Sequence, residues 1–502
     1  MLLFLLVVIP FLGSLLSWII GYYQVAFSRW IALITTIIDL LISLLLWFKY
    51  YFHSYIKHPR WDIEFFYNWM PNFGINFHLA MDGLSLLFII LTSFLGVISV
   101  ICSWNEIKRC PQGFYFHLLC VISGTMGVFL SIDLFLFFCF WELIIIPMYF
   151  LIALWGRSSD NITAISVNAA NKFFIFAQLS GLLMLFSIIG LVIHGYLINN
   201  IINFDYNALL HISLSGISEW LIMIGFFVSF MIKLPIVPFH QWLPDAHSQA
   251  PTAGSIDLSG LVIKMPIYGL LRFCFPLFPR SSIIISSFVV VWGIFSAFYG
   301  SWLAFTQTNI KRMLAYSSIS NMGFIIAALY SGSSLLSYHG VVIQTFVHSI
   351  SSASLFVLSG ELYKRLYTMD IMKMGGLWSK LTWLPGFFLF FSLATIGIPG
   401  TGNFIGEFMV LLGAFKFFPI LTGMLTCVLL FSAIYFLNVV NIIFYGNNKV
   451  VLTDNILCIR ELFILSVCAF LIILFGLYPN VILNTSYYSI QYIYSCMSSC
   501  IN

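Results

Sequence analysis

Apolar stretches too long for the core of a soluble domain recur along nearly the whole chain, and they set the solvent in which it must fold. Runs bounded by Gly, Pro, Asn or charge predict fourteen helices, at about 2–20, 29–48, 82–102, 114–131, 133–155, 168–195, 219–243, 254–275, 281–305, 312–330, 336–363, 381–415, 417–445 and 458–480. Most approach or exceed the ~20 residues a helix needs to cross a bilayer. The chain is 61% hydrophobic and 8% charged, whereas soluble domains hold about 45–50% and about 25%. Lipid offers the backbone no hydrogen bonds, so segments this uniformly apolar suit helices rather than the alternating strands of a membrane barrel. The expected fold is an all-α polytopic membrane protein with about 14 transmembrane helices and no soluble domain.

Charge fixes an expected orientation. Of the 21 basic residues, 13 fall in connectors on the side of the first loop and 6 on the opposite side. By the positive-inside rule, both termini then face away from the cytoplasm, or from the matrix in a mitochondrion. The stretch from Met1 to Ile20 has no basic leader region and no small-residue cleavage site, so it reads as a first retained span. No run of five basic residues occurs, so a nucleic-acid partner has no support. The ten cysteines show no metal-ligand spacing. Only Cys496 and Cys500 lie in a polar tail, where a disulfide and two free thiols are both open.

Two spans carry interruptions. KLPIVPFHQWLP (233–244) holds Pro235, Pro238 and Pro244, and GIPGTGNFIGEF (397–408) holds Pro399 among glycines. Each break frees backbone groups that cannot face lipid, so it must line a wet or protein-packed interior. Broken helices in corresponding halves of a chain point to inverted repeats. The breaks fall in spans 7 and 12, so two inverted five-helix repeats are expected over spans 4–8 and 9–13. The domain reading is one membrane unit, with N-terminal spans in 1–113, repeats in 114–275 and 281–445, and a last span and tail in 446–502.

Four charges fall well inside spans: Glu142, Lys233, Lys264 and Glu407. Each costs about 2.5–3.5 kcal/mol near mid-membrane, so they are expected to face inward, near one another or near water. A lysine whose carboxylate partner leaves becomes a reversible proton holder in a low dielectric. His240 lies seven residues after Lys233, on nearly the same face if the helix continues; His348 and Asn321 sit on hydroxyl-rich spans. Histidine can relay a proton, while an amide can only order water. Blander roles stand beside these. Glu142 with Lys233 could be a static ion pair that fixes helix register, and His348 a satisfied core residue. Asp133 suits a helix N-cap, and Asp257 shares a face with Lys264 seven residues away. Lys311 and Arg312 read as a cytoplasmic helix end.

The blocks KLPIVPFHQWLPDAHSQAPTAGS (233–255), FWELIIIPMYFLIALWG (140–156), NIKRMLAYSSISNMG (309–323) and GIPGTGNFIGEF (397–408) resemble the antiporter-like membrane subunits of proton-pumping NADH:quinone oxidoreductase, respiratory complex I. Within that family the likeness is to the branch called chain M in bacteria and subunit 4 in mitochondria, over about residues 80–445. The resemblance implies fourteen helices with inverted repeats. It also implies a proton file in which Glu142 pairs with Lys233, Lys264 is central, His348 joins the file and Glu407 lies toward the exit. Where the pattern leads one to expect a histidine, this chain has Asn321, which leaves only a water-ordering role there.

By the same resemblance, other membrane-arm subunits, neighbouring antiporter-like ones among them, are the partners. No cofactor is expected in this chain; FMN, iron–sulfur clusters, NADH and quinone belong to partner subunits, consistent with the lack of a dinucleotide fingerprint or cluster ligand set. The alternative is a subunit of a multi-subunit cation/proton antiporter, which shares the PFHxWLPDA-type block. A bacterial inner membrane is expected, a mitochondrial one the alternative.

Overall fold

The computed structural model describes residues 1–53, 61–156, 164–212, 214, 216–331, 334–445 and 457–498. Helices α1 (Leu2–Tyr23) and α2 (Val25–His53) lead into a hairpin, β1 (Ile63–Met70) and β2 (Ile75–Met81), and then into α3 (Gly83–Ser103) and α4 (Pro111–Leu130). Next come α5 (Leu134–Leu143), α6 (Ile145–Leu154), α7 (Ala164–Asn199), the short α8 (Tyr206–Leu209) and α9 (Gly216–Lys233). The helix α10 (Trp242–Gln249) precedes α11 (Thr252–Asp257), α12 (Met265–Gly269) and α13 (Phe275–Leu277), which π turns at Leu258–Val262 and Leu270–Cys274 join into one segment. The chain closes with α14 (Pro279–Thr306), α15 (Ile310–Tyr330), α16 (Leu335–Leu366), α17 (Leu384–Ile396), α18 (Gly402–Phe415), α19 (Pro419–Val440), α20 (Ile459–Leu477) and α21 (Asn480–Ser498).

Among the described residues, 13 helical segments are long and apolar enough to cross a membrane. The chain is thus an all-α polytopic membrane protein in all but its hairpin. The remaining expected span, 381–415, consists of two shorter apolar helices, α17 and α18, joined by a turn. The apolar stretches of segment 252–277 and of α16 are buried throughout within the chain, while less than half of those of α1 and α2 is buried. The first two therefore form the axis around which the others pack.

Several features depart from the sequence reading. The connector 63–81 is an antiparallel hairpin pairing Ile63 with Met81 and Phe66 with His78, and Gly74 turns it at φ +66°. Its aromatic and β-branched residues flank a Pro-Asn-Phe-Gly turn, a strand signal. The supposed tail is helix α21, which buries Ile482, Ser486, Ser489, Ile490, Ile493 and Met497 at helical spacing. A search for continuous apolar runs passes over such an amphipathic helix. Cys500 lies outside the described residues, and with it the question of its pairing with Cys496.

The hairpin is stitched to two helix ends. Ile132 donates to the His78 carbonyl at 3.1 Å, Phe204 to that of Gly74 at 3.3 Å, and Asn76 N–H to Asp133 Oδ2 at 3.0 Å. Asp133 also caps α5, accepting from Phe135 and Leu136. Buried His78 contacts Asp205 through Nδ1 and lies 3.5 Å from Glu64 through Nε2. Burial alone works against a charged ring, but the hydrogen bond and charge of Asp205, with Glu64 beyond, hold the His78 pKa above its usual value. Burial likewise works against the Asp205 carboxylate, yet its contacts with His78 hold its pKa below the ordinary range.

Candidate functional site

Lys264 sits on the most irregular part of the axis. Pro266 cannot donate back to the Val262 carbonyl, and the π turn at Leu258–Val262 ends just before the lysine. Such turns inside helices recur at functional sites. Lys264 is fully buried; its Nζ lies 3.0 Å from His348 Nδ1 on α16 and 3.8 Å from Met322 Sδ on α15. An amine and an imidazole at hydrogen-bond distance can share or pass a proton.

One helical turn earlier on α16, at four-residue spacing, Gln344 Nε2 donates to Glu407 Oε1 at 3.1 Å. Glu407 is buried on α18. Its second oxygen rests against Gly397, where an added Cβ would lie 2.1 Å from Oε2 and where φ is +83°. Asn403 binds the two helices together, donating to the Ala394 carbonyl at 2.8 Å and to Ser351 Oγ at 3.2 Å. In the turn between α17 and α18, Gly397, Ile398 and Thr401 N–H donate to the carbonyls of Ala394, Leu393 and Ile398, while Ile398, Pro399 and Gly400 are exposed. Face α16 thus presents His348 to Lys264 and Gln344 to Glu407.

The other pair is arranged differently from expectation. Buried Lys233 ends α9, lies 3.7 Å from the centroid of the Trp141 ring and donates to the Trp141 carbonyl at 3.3 Å. Glu142 is the next residue on α5, about 100° further round the helix. Its carboxylate turns to α7, where a Cβ at Gly181 would sit 1.5 Å from Oε1. Oε1 has no hydrogen-bond partner, and Glu142 is only half-buried. Among the described residues no ion pair within 4 Å joins Glu142 to Lys233. The expected pairing is therefore not a direct contact.

The break after Lys233 also separates His240 from it, because the helix does not continue. Trp242 Nε1 donates to the Ile232 carbonyl at 3.1 Å, Trp292 Nε1 to that of Val237 at 2.6 Å, and Ser296 Oγ accepts from Val237 N–H at 3.3 Å. His240 packs instead against Tyr299 and Tyr316, at ring separations of 5.3 and 6.3 Å. Asn321 is half-buried on α15, and it is its neighbour Met322 that reaches Lys264. The structure thus brings Lys264 to His348 and sets Glu407 one turn along, while Asn321 stands outside that contact.

More charge is buried than the sequence reading allowed. Arg272 donates to Asp82 at 2.5 Å with both side chains buried. Lys311 is no exposed helix end: it is fully buried and donates to the Ala250 carbonyl at 2.7 Å and to Ser255 Oγ at 3.1 Å. Asp257 is fully buried with neither oxygen hydrogen-bonded. The π turn after it adds a residue to the winding, about 100°, so Asp257 and Lys264 do not share the face that regular spacing predicts. Arg272 and Lys311 were hidden by lying near span ends, where long side chains ordinarily reach water. Among the described residues, no three His, Cys, Asp or Glu side chains gather as a metal-ligand set.

Comparison with known proteins adds an independent line. Residues 131–432 match a family model described as NADH:quinone oxidoreductase/Mrp antiporter, TM. The chain is 48% identical to NADH-quinone oxidoreductase subunit M of Escherichia coli (strain K12), over 97% of this chain and 96% of that one. It is 48% identical to the protein of that name from Buchnera aphidicola subsp. Acyrthosiphon pisum, over 98% and 97%. Among solved structures, a chain of respiratory complex I from Thermus thermophilus superposes with a TM-score of 0.87 at 24% identity, over 99% of this chain and 100% of that one. A chain of an archaeal membrane-bound sulfane sulfur reductase gives 0.84 at 20%, over 99% of each. At these identities the two superpositions speak for the fold.

Proposed function

The chain belongs to the NADH-quinone oxidoreductase subunit M family, and from that premise we propose how its buried side chains move protons. It is a proton-translocating subunit of the membrane arm of bacterial respiratory complex I and a multi-pass membrane protein. The path we infer runs through Glu142, Lys233, Lys264, His348 and Glu407. The observation that carries it is the 3.0 Å contact between buried Lys264 and His348, one helical turn from the Gln344–Glu407 contact. Glu142 and Lys233 act at the other end of the file through their field rather than through touch, with Trp141 holding the lysine. His240 and Asn321 serve at its margins by ordering water, as polar groups in protein-lined interiors can.

Lysine charge states shift along this file when partner subunits oxidise NADH and reduce quinone, so flavin, iron–sulfur clusters and quinone are placed outside this chain. Moving one proton against about 150 mV needs roughly 3.5 kcal/mol. Spans 4–8 and 9–13 are read as inverted repeats, each with its interrupted helix pair, α9/α10 and α17/α18. Both termini are placed on the non-cytoplasmic side, on the strength of the basic connectors. Likeness to subunit M along 97% of the chain favours this reading over a cation/proton antiporter.

The test is NADH-driven acidification by vesicles holding the whole complex, wild type against Glu142→Gln. Normal assembly with strongly reduced proton transfer and slowed coupled electron flow is expected. Undiminished pumping in an assembled Glu142→Gln complex overturns the path.

A further inference from the structure

The amide of Gln344 is buried beside Glu407 of the path, yet it cannot titrate. It lies one turn from His348 on the same face of α16, and its Nε2 donates to Glu407 Oε1 at 3.1 Å. Its own Oε1 has no hydrogen-bond partner. That oxygen lies over Gly406, where an added Cβ would come within 2.7 Å of it, so a small residue stands where the amide would have to turn. A carboxylate accepts hydrogen bonds only, whereas a carboxylic acid also donates one. The amide has both functions on one planar group, and only one of them is engaged.

We propose that Gln344 is a positioning residue that reads the protonation state of Glu407 and thereby gates proton passage between His348 and that carboxyl. With Glu407 ionised, the Nε2–H bond holds the carboxylate on α16. When Glu407 takes up a proton, its O–H donates to Gln344 Oε1 after the amide turns by half a rotation, and the donor that was spent on Glu407 takes the place of that oxygen over Gly406. Loss of the proton restores the first arrangement. Gln344 itself neither gains nor loses a proton in this cycle. The inference rests on the path proposed above, because it needs Glu407 to carry protons.

A simple structural bond would need a donor alone; a state-reading group needs donor and acceptor. The experiment uses the whole complex in vesicles and measures NADH-driven acidification and its pH profile for Gln344→Met, which has no donor and only a weak acceptor, and Gln344→Glu, which has both functions when it holds a proton. A lost hydrogen bond to a charged group is worth a factor of roughly ten or more in a transfer equilibrium. Gln344→Met is expected to slow transfer through this chain roughly tenfold and to displace the pH profile by about one unit, with Gln344→Glu close to wild type. Should Gln344→Met not assemble, Gln344→Asn takes its place with the same expected loss, because its amide is one methylene short. An assembled Gln344→Met or Gln344→Asn complex with wild-type rate and profile overturns the proposal, as does equal loss in Gln344→Glu. Lys264→Ala measured alongside separates the two readings: if it pumps normally the path itself fails, and if it does not while Gln344→Met pumps normally only the gate fails.

Discussion

Replacing Gly181 by alanine separates position from charge at the carboxylate of Glu142, because it changes no titratable group. On propensity alone the substitution should help, since alanine in a helix interior such as α7 is worth about 0.8–1 kcal/mol over glycine. The structure argues the reverse for function. The new Cβ would lie 1.5 Å from Glu142 Oε1 and 2.7 Å from its carboxyl carbon. To recover an ordinary contact of about 3.5 Å, the oxygen must withdraw by about 2 Å.

The displaced atoms are the end of a flexible side chain, so the helix survives and the carboxylate is re-aimed. A misplacement of about 1 Å can cost on the order of a hundredfold in a proximity-dependent step. An assembled Gly181→Ala complex is therefore expected to lose at least about tenfold in NADH-driven acidification. Gly190→Ala on the same helix is the control, since its Cβ would meet only Ile222 Cγ1 at 3.6 Å. Wild-type pumping by Gly181→Ala, or equal losses at both positions, would refute the reasoning.

Other outcomes follow from the same geometry. Gly397→Ala forces a Cβ into a backbone at φ +83° and within 2.1 Å of Glu407 Oε2, so the complex should lose about 1–2 kcal/mol of stability together with proton transfer, read from thermal melting and acidification. Lys264→Ala should cost about a hundredfold or more in transfer and His348→Ala less, since one removes the proton holder and the other a relay; equal, mild losses would contradict that order. His78, whose folded pKa exceeds 6.5, contributes stability that is full below pH 6.5 and fades as pH rises through the folded value. Asp205, held below 3.8, contributes above that pH and loses its part on further acidification. His78→Gln should therefore lower the melting temperature more at pH 5.5 than at pH 9, and a uniform drop would count against the His78–Asp205 ion pair.

Much of the membrane architecture was legible because apolar length is a one-dimensional signal. The expected 82–102 and 312–330 correspond to α3 at Gly83–Ser103 and α15 at Ile310–Tyr330. The hairpin and α21 escaped because their signals are alternation and amphipathic spacing rather than continuous apolarity. At the site, Lys264, His348 and Glu407 could be picked out as charged or titratable residues in apolar surroundings. Which of them touch could not be read, because side-chain direction depends on where each helix stops. The halt of α9 at Lys233 parts His240 from it, and a single π turn re-aims Asp257. Lys311 read as a helix end from its place in the sequence, and only tertiary packing encloses it and Arg272.

The segment 252–277 and α16, whose apolar stretches are buried throughout, do not sense the thickness of the surrounding bilayer. A thinner or thicker lipid layer must be met by α1, α2 and the other perimeter helices, through tilt or local deformation costing fractions of a kcal/mol per ångström. The π turns of segment 252–277 accordingly lie wholly out of contact with lipid. Mechanical load from the membrane is borne at the rim, and Lys264 and His348 on the inner helices are insulated from it.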